Sequence, residues 1–342
     1  MFKSKYLIGS VIMATAVLAS CKKTTGYDIT GEADTKFFMN NTSSGNAPQN
    51  SVGFSVVNVP NSSGSGLLNL STTLPANIQF PVFASKPVGQ DVAISAVLDT
   101  TLVASYNATY NTNYKVFPAG ILNTTTLVAH IAKGNTTSTD SITIPVNTAN
   151  LPSMTDTAYM APIKLTTIQD ASAGNITGNT TTQITYVVVK VEQRRIKYLA
   201  TTADAIGALL TPRTAWVSTF TPALSTTGSI FDGSLTTYSR WTASPGQLDV
   251  DMQASKNVTG IRLYTATSAT YVPSQVDVYL SNDGINYDHI GLITKANTTY
   301  STYSYILFYK AITARYVRLF LTYSTSTNTQ NCRVTEFDVY GN

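Results

Sequence analysis

Apolar residues at every second position, gathered in short runs between turn-forming residues, restrict this chain more than any other feature. Val92, Ile94, Ala96 and Leu98 fall on one side of such a run, as do Leu127, Ala129 and Ile131, and then Ile142, Ile144 and Val146. The alternation returns at 258–264, 275–280, 315–322 and 334–340. A period of two belongs to a strand with one buried face and cannot lay down the continuous stripe that a helix needs. Pro, Asn and Gly punctuate the runs, and Asn282-Asp283-Gly284 supplies the turn for a hairpin between 276–280 and 286–290. The run 184–191 is apolar on both faces and rich in β-branched residues, which predicts a central strand covered on both sides. A short helix is expected over 202–210, with Asp204 in its first turn and Pro212 beyond it. No alternation of helix and strand points to a parallel sheet.

The chain has 342 residues, enough for two domains and an N-terminal address. Only 12% of it is charged, so the polar faces of amphipathic helices are missing, yet 10% is aromatic, with 20 Tyr, too much for disorder. The expected fold is all-β: two β-sandwich domains, the N-terminal one Ig-like. There are 22 basic and 18 acidic residues, and Lys3 and Lys5 belong to the leader, so the balance excludes a nucleic-acid binder. The two Cys and two His, at 21, 332, 130 and 289, form no cluster with the spacing of a structural zinc site.

Lys3 and Lys5 precede an apolar run over 6–19 that is too short to span a bilayer and reads as a signal peptide over 1–20. Its end, Leu18-Ala19-Ser20-Cys21, resembles the bacterial lipobox, which implies acylation of Cys21 as the first residue of the mature protein. Cys332 then has no disulfide partner and is expected to be a small buried hydrophobe. Residues 21–50 are polar and mostly a flexible tether, apart from a short strand at 36–39. The N-terminal domain is expected over 26–192, a linker over 193–211 and the C-terminal domain over 212–342.

The sequence contains no metal-protease helix, nucleophile elbow or phosphate-cradling glycine loop. His130 and His289 lack a partner motif and are read as structural, and the acids are scattered singly on turns and strands. The protein is therefore not expected to be an enzyme. Sugar binding needs an aromatic face for the C–H side of a pyranose, with Arg, Asn or Asp for its hydroxyls. Tyr238, Arg240, Tyr271 and Asn331 lie on predicted loops of the second half and are the candidate sugar-binding residues, while Trp241 is assigned to the core and Trp216 to either place.

Four motifs in the second half carry a resemblance. Ile230-Phe231-Asp232-Gly233 with Thr237 and Trp241 comes first, then Tyr279-Leu280-Ser281-Asn282-Asp283-Gly284. Ala314-Arg315-Tyr316-Val317-Arg318-Leu319 and Glu336-Phe337-Asp338-Val339-Tyr340-Gly341 complete the set, which resembles the discoidin, or coagulation factor V/VIII type C, family over about 130 residues. The resemblance implies a jelly-roll-like sandwich of galactose-binding topology, and many bacterial members bind carbohydrate. It also implies a structural calcium ion held by Asp232, Thr237 and Glu336 together with backbone carbonyls. Two departures touch that loop: Trp241 comes about two residues later than usual after Asp-Gly, and Met252-Gln253 replaces a hydrophobic-Gly pair.

The first half is similar to an uncharacterised N-terminal domain of Bacteroidetes surface lipoproteins, through Val103-Ala104-Ser105-Tyr106-Asn107, Tyr114-Lys115-Val116-Phe117-Pro118, Ile131-Ala132-Lys133-Gly134 and Tyr159-Met160-Ala161-Pro162-Ile163. Such domains commonly precede discoidin-type modules or glycosidases tied to polysaccharide uptake. The combined expectation is an outer-membrane lipoprotein that binds a glycan, touches the membrane only through its lipid and works beside an outer-membrane transporter. Lys22 and Lys23 after the acylated Cys leave both the cell surface and the periplasmic face open. Two rival expectations are an adhesion module for protein or phospholipid and a glycosidase accessory with weak hydrolase activity.

Overall fold

The computed structural model describes residues 34–40, 50–197, 200–242, 244–265, 272–294, 303–323 and 332–342. Cys21 and the leader, Tyr271 and Asn331 lie outside the described residues.

The N-terminal domain is built on β1 (Ser51–Pro60), β2 (Leu67–Thr72), β3 (Val92–Leu98), β4 (Val128–Ile131), β5 (Ala158–Ile168) and β6 (Ile184–Gln193). They lie in the spatial order β2-β1-β6-β5-β3-β4. Against this sheet pack the pair Asn77–Phe80 with Ile142–Pro145, and Lys36–Phe38 flanked by Asn175–Ile176 and Phe83–Ala84. Phe37, Phe80, Ile94, Ile131, Ile142, Ile144 and Val187 meet between the layers, and all are buried. The absence of parallel pairing expected from the sequence is corrected: β1 and β6 run parallel, from Ser51 opposite Tyr186 to Asn58 opposite Gln193, and shorter parallel pairings join Lys36 and Phe37 to Asn175 and Ile176, and Lys115 and Val116 to Tyr159 and Met160. Strands β1 and β6 are separated by most of the domain, so no helix–strand alternation announces them.

The apolar outer face of β6 has its own partner. Helix α1 (Thr101–Tyr110) lies over it, with Val103 packed on Met160 and Val188 and with Tyr106, Tyr114 and Tyr186 around them. Only Val103 of α1 is buried, so the helix carries no apolar stripe for a periodicity argument to find. The helix expected over 202–210 is instead a single 3-10 turn, Thr202–Asp204, closed by a capping box between Thr201 and Asp204.

The C-terminal domain comprises β7 (Val217–Thr221), β8 (Ser239–Trp241), β9 (Gly246–Tyr264), β10 (Gln275–Ser281), β11 (Asp288–Thr294), β12 (Ser304–Thr322), β13 (Cys332–Val334) and β14 (Glu336–Gly341). Strands β9 and β12 are 19 residues each and pair antiparallel along their length, with breaks in register after Asp251 and after Val258. Before the first break β9 is flanked by β7 and β12, and β12 by β10; beyond the second, β9 is flanked by β14. Leu248, Val250 and Met252 from the first part and Ile261 and Leu263 from the last share one core with Trp241, Leu319 and Phe337. Two strands thus run through both layers of one sandwich, and the breaks turn them from one layer to the other. Trp241 is fully buried, and a Cβ at Gly246 would stand 1.7 Å from its Nε1, so that position admits only glycine. Trp216 is buried as well.

The stretch expected as a linker carries two strand pairings to the C-terminal domain: Ile196–Lys197 on β12, and Ala208–Leu209 on β14. Cys332 is buried in the C-terminal core, where burial pushes its thiol up to about 11.

Candidate functional site

The end of the sandwich where β9 stops and β10 begins is closed by a ribbon of β8 and β13. Its register sets Ser239 opposite Val334, Arg240 opposite Arg333 and Trp241 opposite Cys332. Alternation sends Ser239, Trp241, Cys332 and Val334 into the core and leaves Arg240 and Arg333 on the other face. The Arg333 guanidinium stands over the Tyr238 ring, 4.7 Å from its centroid, and its Nε donates to the Thr265 carbonyl at 3.1 Å. The Tyr323 hydroxyl donates to the Arg333 carbonyl at 3.2 Å, which holds the ribbon from below. Arg240 is fixed through its backbone, its N–H donating to Thr226 at 2.9 Å and its carbonyl accepting from Ser225 at 2.8 Å.

Two of the four sequence-derived sugar candidates, Tyr238 and Arg240, are therefore neighbours on this ribbon. Arg333 was not singled out from the sequence. Its signal was available only through the pairing register, because nothing in Cys332-Arg333-Val334 alone says which strand it faces.

The Asp232 loop leads into the ribbon through Thr237 and Tyr238. Gly233 takes φ +77°, and Asp232 accepts from the Ser234 N–H at 2.9 Å and from the Thr237 hydroxyl at 2.7 Å. The Thr237 hydrogen bond is the largest cause holding the Asp232 carboxyl below the usual range. Glu336, 1% exposed, accepts from the Gly233 N–H at 3.2 Å on one oxygen and from the Arg213 guanidinium on the other. Arg213 also bonds the Phe337 carbonyl at 2.8 Å and Asp338 at 2.7 Å, and Asp338 in turn pairs with Arg262 at 2.6 Å. Burial pushes the Glu336 carboxyl up, with Arg213 opposing it.

Asp232, Thr237 and Glu336 are thus brought to one loop, as the resemblance implies. The set does not fit a calcium ion. Both Glu336 oxygens are engaged, and Arg213 puts a permanent positive charge against the carboxylate that the ion would need. Among the described residues no group of three or more His, Cys, Asp or Glu is spaced to hold a metal. Arg213 lies 19 residues ahead of Asp232, at the expected start of the C-terminal domain, and no motif ties it to this loop.

The two histidines each have an aspartate partner. His130 Nδ1 is 2.7 Å from Asp140, and His289 Nε2 is 2.7 Å from Asp277, which also accepts from the Tyr279 hydroxyl at 2.9 Å. Both pairs stand on exposed strand faces.

Residues 214–337 match the model of the F5/8 type C domain, and this part of the chain is an F5/8 type C domain. A second model, of an N-terminal domain, matches residues 33–172. A two-domain protein of unknown function from Bacteroides fragilis is similar over 99% of this chain and 100% of its own, at 13% identity and a TM-score of 0.50, which extends the likeness of fold to both domains. Chitosan-binding module 1 of a chitosanase/glucanase from Paenibacillus is 28% identical over 36% of this chain and 94% of its own, with a TM-score of 0.31. A family 32 carbohydrate-binding module from Clostridium perfringens, solved with galactose, is 17% identical over 38% of this chain and 96% of its own, with a TM-score of 0.33. No curated protein matches the chain.

Proposed function

We propose that this protein is a lipid-anchored cell-envelope carbohydrate-binding protein that captures glycan for polysaccharide uptake. The observation that carries the reading is the Tyr238–Arg333–Arg240 cluster at the loop end of an F5/8 type C domain. An aromatic ring backed by a guanidinium, with a second arginine beside it, offers a C–H-accepting face and donors for hydroxyl groups. Binding rather than hydrolysis agrees with the state of the acids. Asp249 and Asp251 are neutralised by Arg318 and Arg315, and Glu336, whose carboxyl is raised, is buried away from any substrate.

A glycan array probed with the mature protein selects the ligand, and calorimetry then compares wild type with Tyr238→Ala. Loss of a stacked ring is expected to cost about 1–3 kcal/mol, by analogy with bases stacked on aromatic side chains. Unchanged affinity in a folded variant would move the site off this ribbon.

The lipobox-like Leu18-Ala19-Ser20-Cys21 supports the anchor, and no described helix is long and apolar enough to cross a membrane. A lipid of two or more acyl chains at Cys21 would give stable membrane attachment without a spanning segment. A Cys21→Ser variant is expected to leave the membrane fraction; if it still sediments with membranes, the anchor assignment is wrong. A surface position beside an outer-membrane transporter is the arrangement that this reading favours, and protease accessibility on intact cells distinguishes it from the periplasmic face.

A further inference from the structure

The outer face of the layer containing β7, β9, β12 and β10 holds a shallow groove of about 370 Å³. Val217 and Thr219 of β7 form one wall and Tyr287, just before β11, the other; Asp249, Arg318 and Tyr316 make the floor. The groove lies towards the opposite end of these strands from the Tyr238 ribbon, since it is built around Tyr316 and Gly284 rather than around Gln275 and Thr322. Its size is within the range of about 300–1,000 Å³ seen for small-molecule sites.

The polar groups of the floor are held in place. Arg318 Nε donates to Asp249 at 2.6 Å while its guanidinium lies 3.8 Å from the Tyr287 centroid, and Gln247 donates to the other Asp249 oxygen at 2.6 Å. One step along β9, Arg315 grips Asp251 with two bonds of 2.8 Å. The rim is also fixed. Gln253, a non-glycine residue at φ +65°, donates its N–H to Asp251 at 2.7 Å, and Gly284, at φ +75°, lies so close to Tyr316 that a Cβ would stand 3.2 Å from the ring. A left-handed residue beside a break in strand register is a cost that the surrounding structure must hold in place, and such features gather at binding sites.

Asp249 is paired with Arg318 in the groove and Asp251 with Arg315 beside it, so the two carboxylates are matched by two arginines. An Asp–Arg pair offers an acceptor and a donor side by side, the complement of two neighbouring hydroxyls, and Tyr287 and Val217 supply apolar walls for a C–H face. A phosphate or carboxylate would meet Asp249 and Asp251, and a cation would meet Arg318. We propose that this groove is a second carbohydrate subsite, taking a neutral sugar unit of an oligosaccharide. The inference goes beyond the loop-end reading and does not use its residues. Two sites on one module would hold a polysaccharide at two points and raise avidity without new contacts at either.

The test is methyl NMR of the mature full chain titrated with neutral tetrasaccharides, namely galacto-, chito-, xylo- and cello-tetraose, with tetragalacturonate as the charged control. The Val217 methyls are expected to shift saturably with a neutral probe. The shift should persist in Tyr238→Ala, disappear in Thr219→Trp, which fills the groove from an exposed position, and need at least tenfold more probe in Tyr287→Ala. Shifts confined to the neighbourhood of Tyr238, with Val217 unmoved, would overturn the groove and leave the loop-end reading standing. A response of Val217 to tetragalacturonate alone would overturn the neutral-ligand assignment, and no shift anywhere would overturn both sites.

Discussion

In the N-terminal sandwich the outer face of the main sheet is covered by a helix, with Val103 set on Met160 and Val188, and burial raises the Tyr106 phenol to about 12. In the C-terminal sandwich the outer face of the first layer is left uncovered and carries Asp249–Arg318, Asp251–Arg315 and Asp277–His289. A third kind of charge pairing, Arg213 with Glu336 and Asp338, lies almost wholly inside it. One sheet face is thus closed by apolar contact and the other is kept wet by polar and charged side chains that pair with one another. A covered face is lost to ligands, whereas a paired, uncovered face stays available, and the groove proposed above is built on that contrast.

The comparison breaks most easily at Arg213. Arg213→Ala leaves Glu336 and Asp338, 1% and 2% exposed, without their shared partner, and is expected to destabilise the C-terminal domain by about 3–5 kcal/mol in chemical denaturation. The matching change in the N-terminal domain, Val103→Ala, removes about two methyl equivalents from under α1 and is expected to cost about 1–2 kcal/mol. If Arg213→Ala costs no more than Val103→Ala, the buried charges are not structural and the contrast fails.

How much of this was legible in the sequence depends on whether a residue's role is local. Alternation and turn chemistry located the 275–281 and 288–294 hairpin, the buried Trp241 and the doubly covered β6, because each of these is written in neighbouring residues. Helix α1 was missed because a single buried side chain leaves no period to detect. The parallel pairing of β1 with β6 was missed because it joins residues more than a hundred positions apart. At the candidate site the same rule holds. Tyr238 and Arg240 were visible as types on a predicted loop, and Asp232 and Thr237 through the family resemblance, whereas Arg333 and Arg213 enter through strand register and through a contact across 123 positions.

A smaller effect separates the two kinds of carboxylate in the C-terminal half. Asp251, through its bond to Arg315, and Asp232, through Thr237, are held below the ordinary aspartate range. Their contribution is present above that range and is lost as pH falls through it. Glu336 has the opposite sign: its raised carboxyl binds a proton more readily folded than unfolded, so stability rises as pH falls towards the ordinary glutamate range. The melting temperature is therefore expected to pass through a mildly acidic maximum and to fall steeply below about pH 4. In Glu336→Gln the rise should vanish while the fall remains; a monotonic curve in wild type would refute the assignment of signs.

The smallest expected effect is none, and it bears on the calcium that the family resemblance implied. An ion bound only by the native state stabilises it by mass action, and removing it lowers the melting temperature. Here the Arg213 guanidinium already supplies positive charge to Glu336 and Asp338, and the Asp232 oxygens accept from Ser234 and Thr237. Neither chelator nor added calcium should move the melting curve of the wild-type chain. The informative partner is Arg213→Ala, in which Glu336 and Asp232 lose the guanidinium and Asp338 keeps only Arg262, so the loop carries excess negative charge. Millimolar calcium is expected to recover part of the stability lost in that variant, because the oxygen donors then lack only a cation. A wild-type melting temperature that drops on chelation would show that the ion and the arginine share the loop, and the charge network described above would have to be rebuilt around a metal.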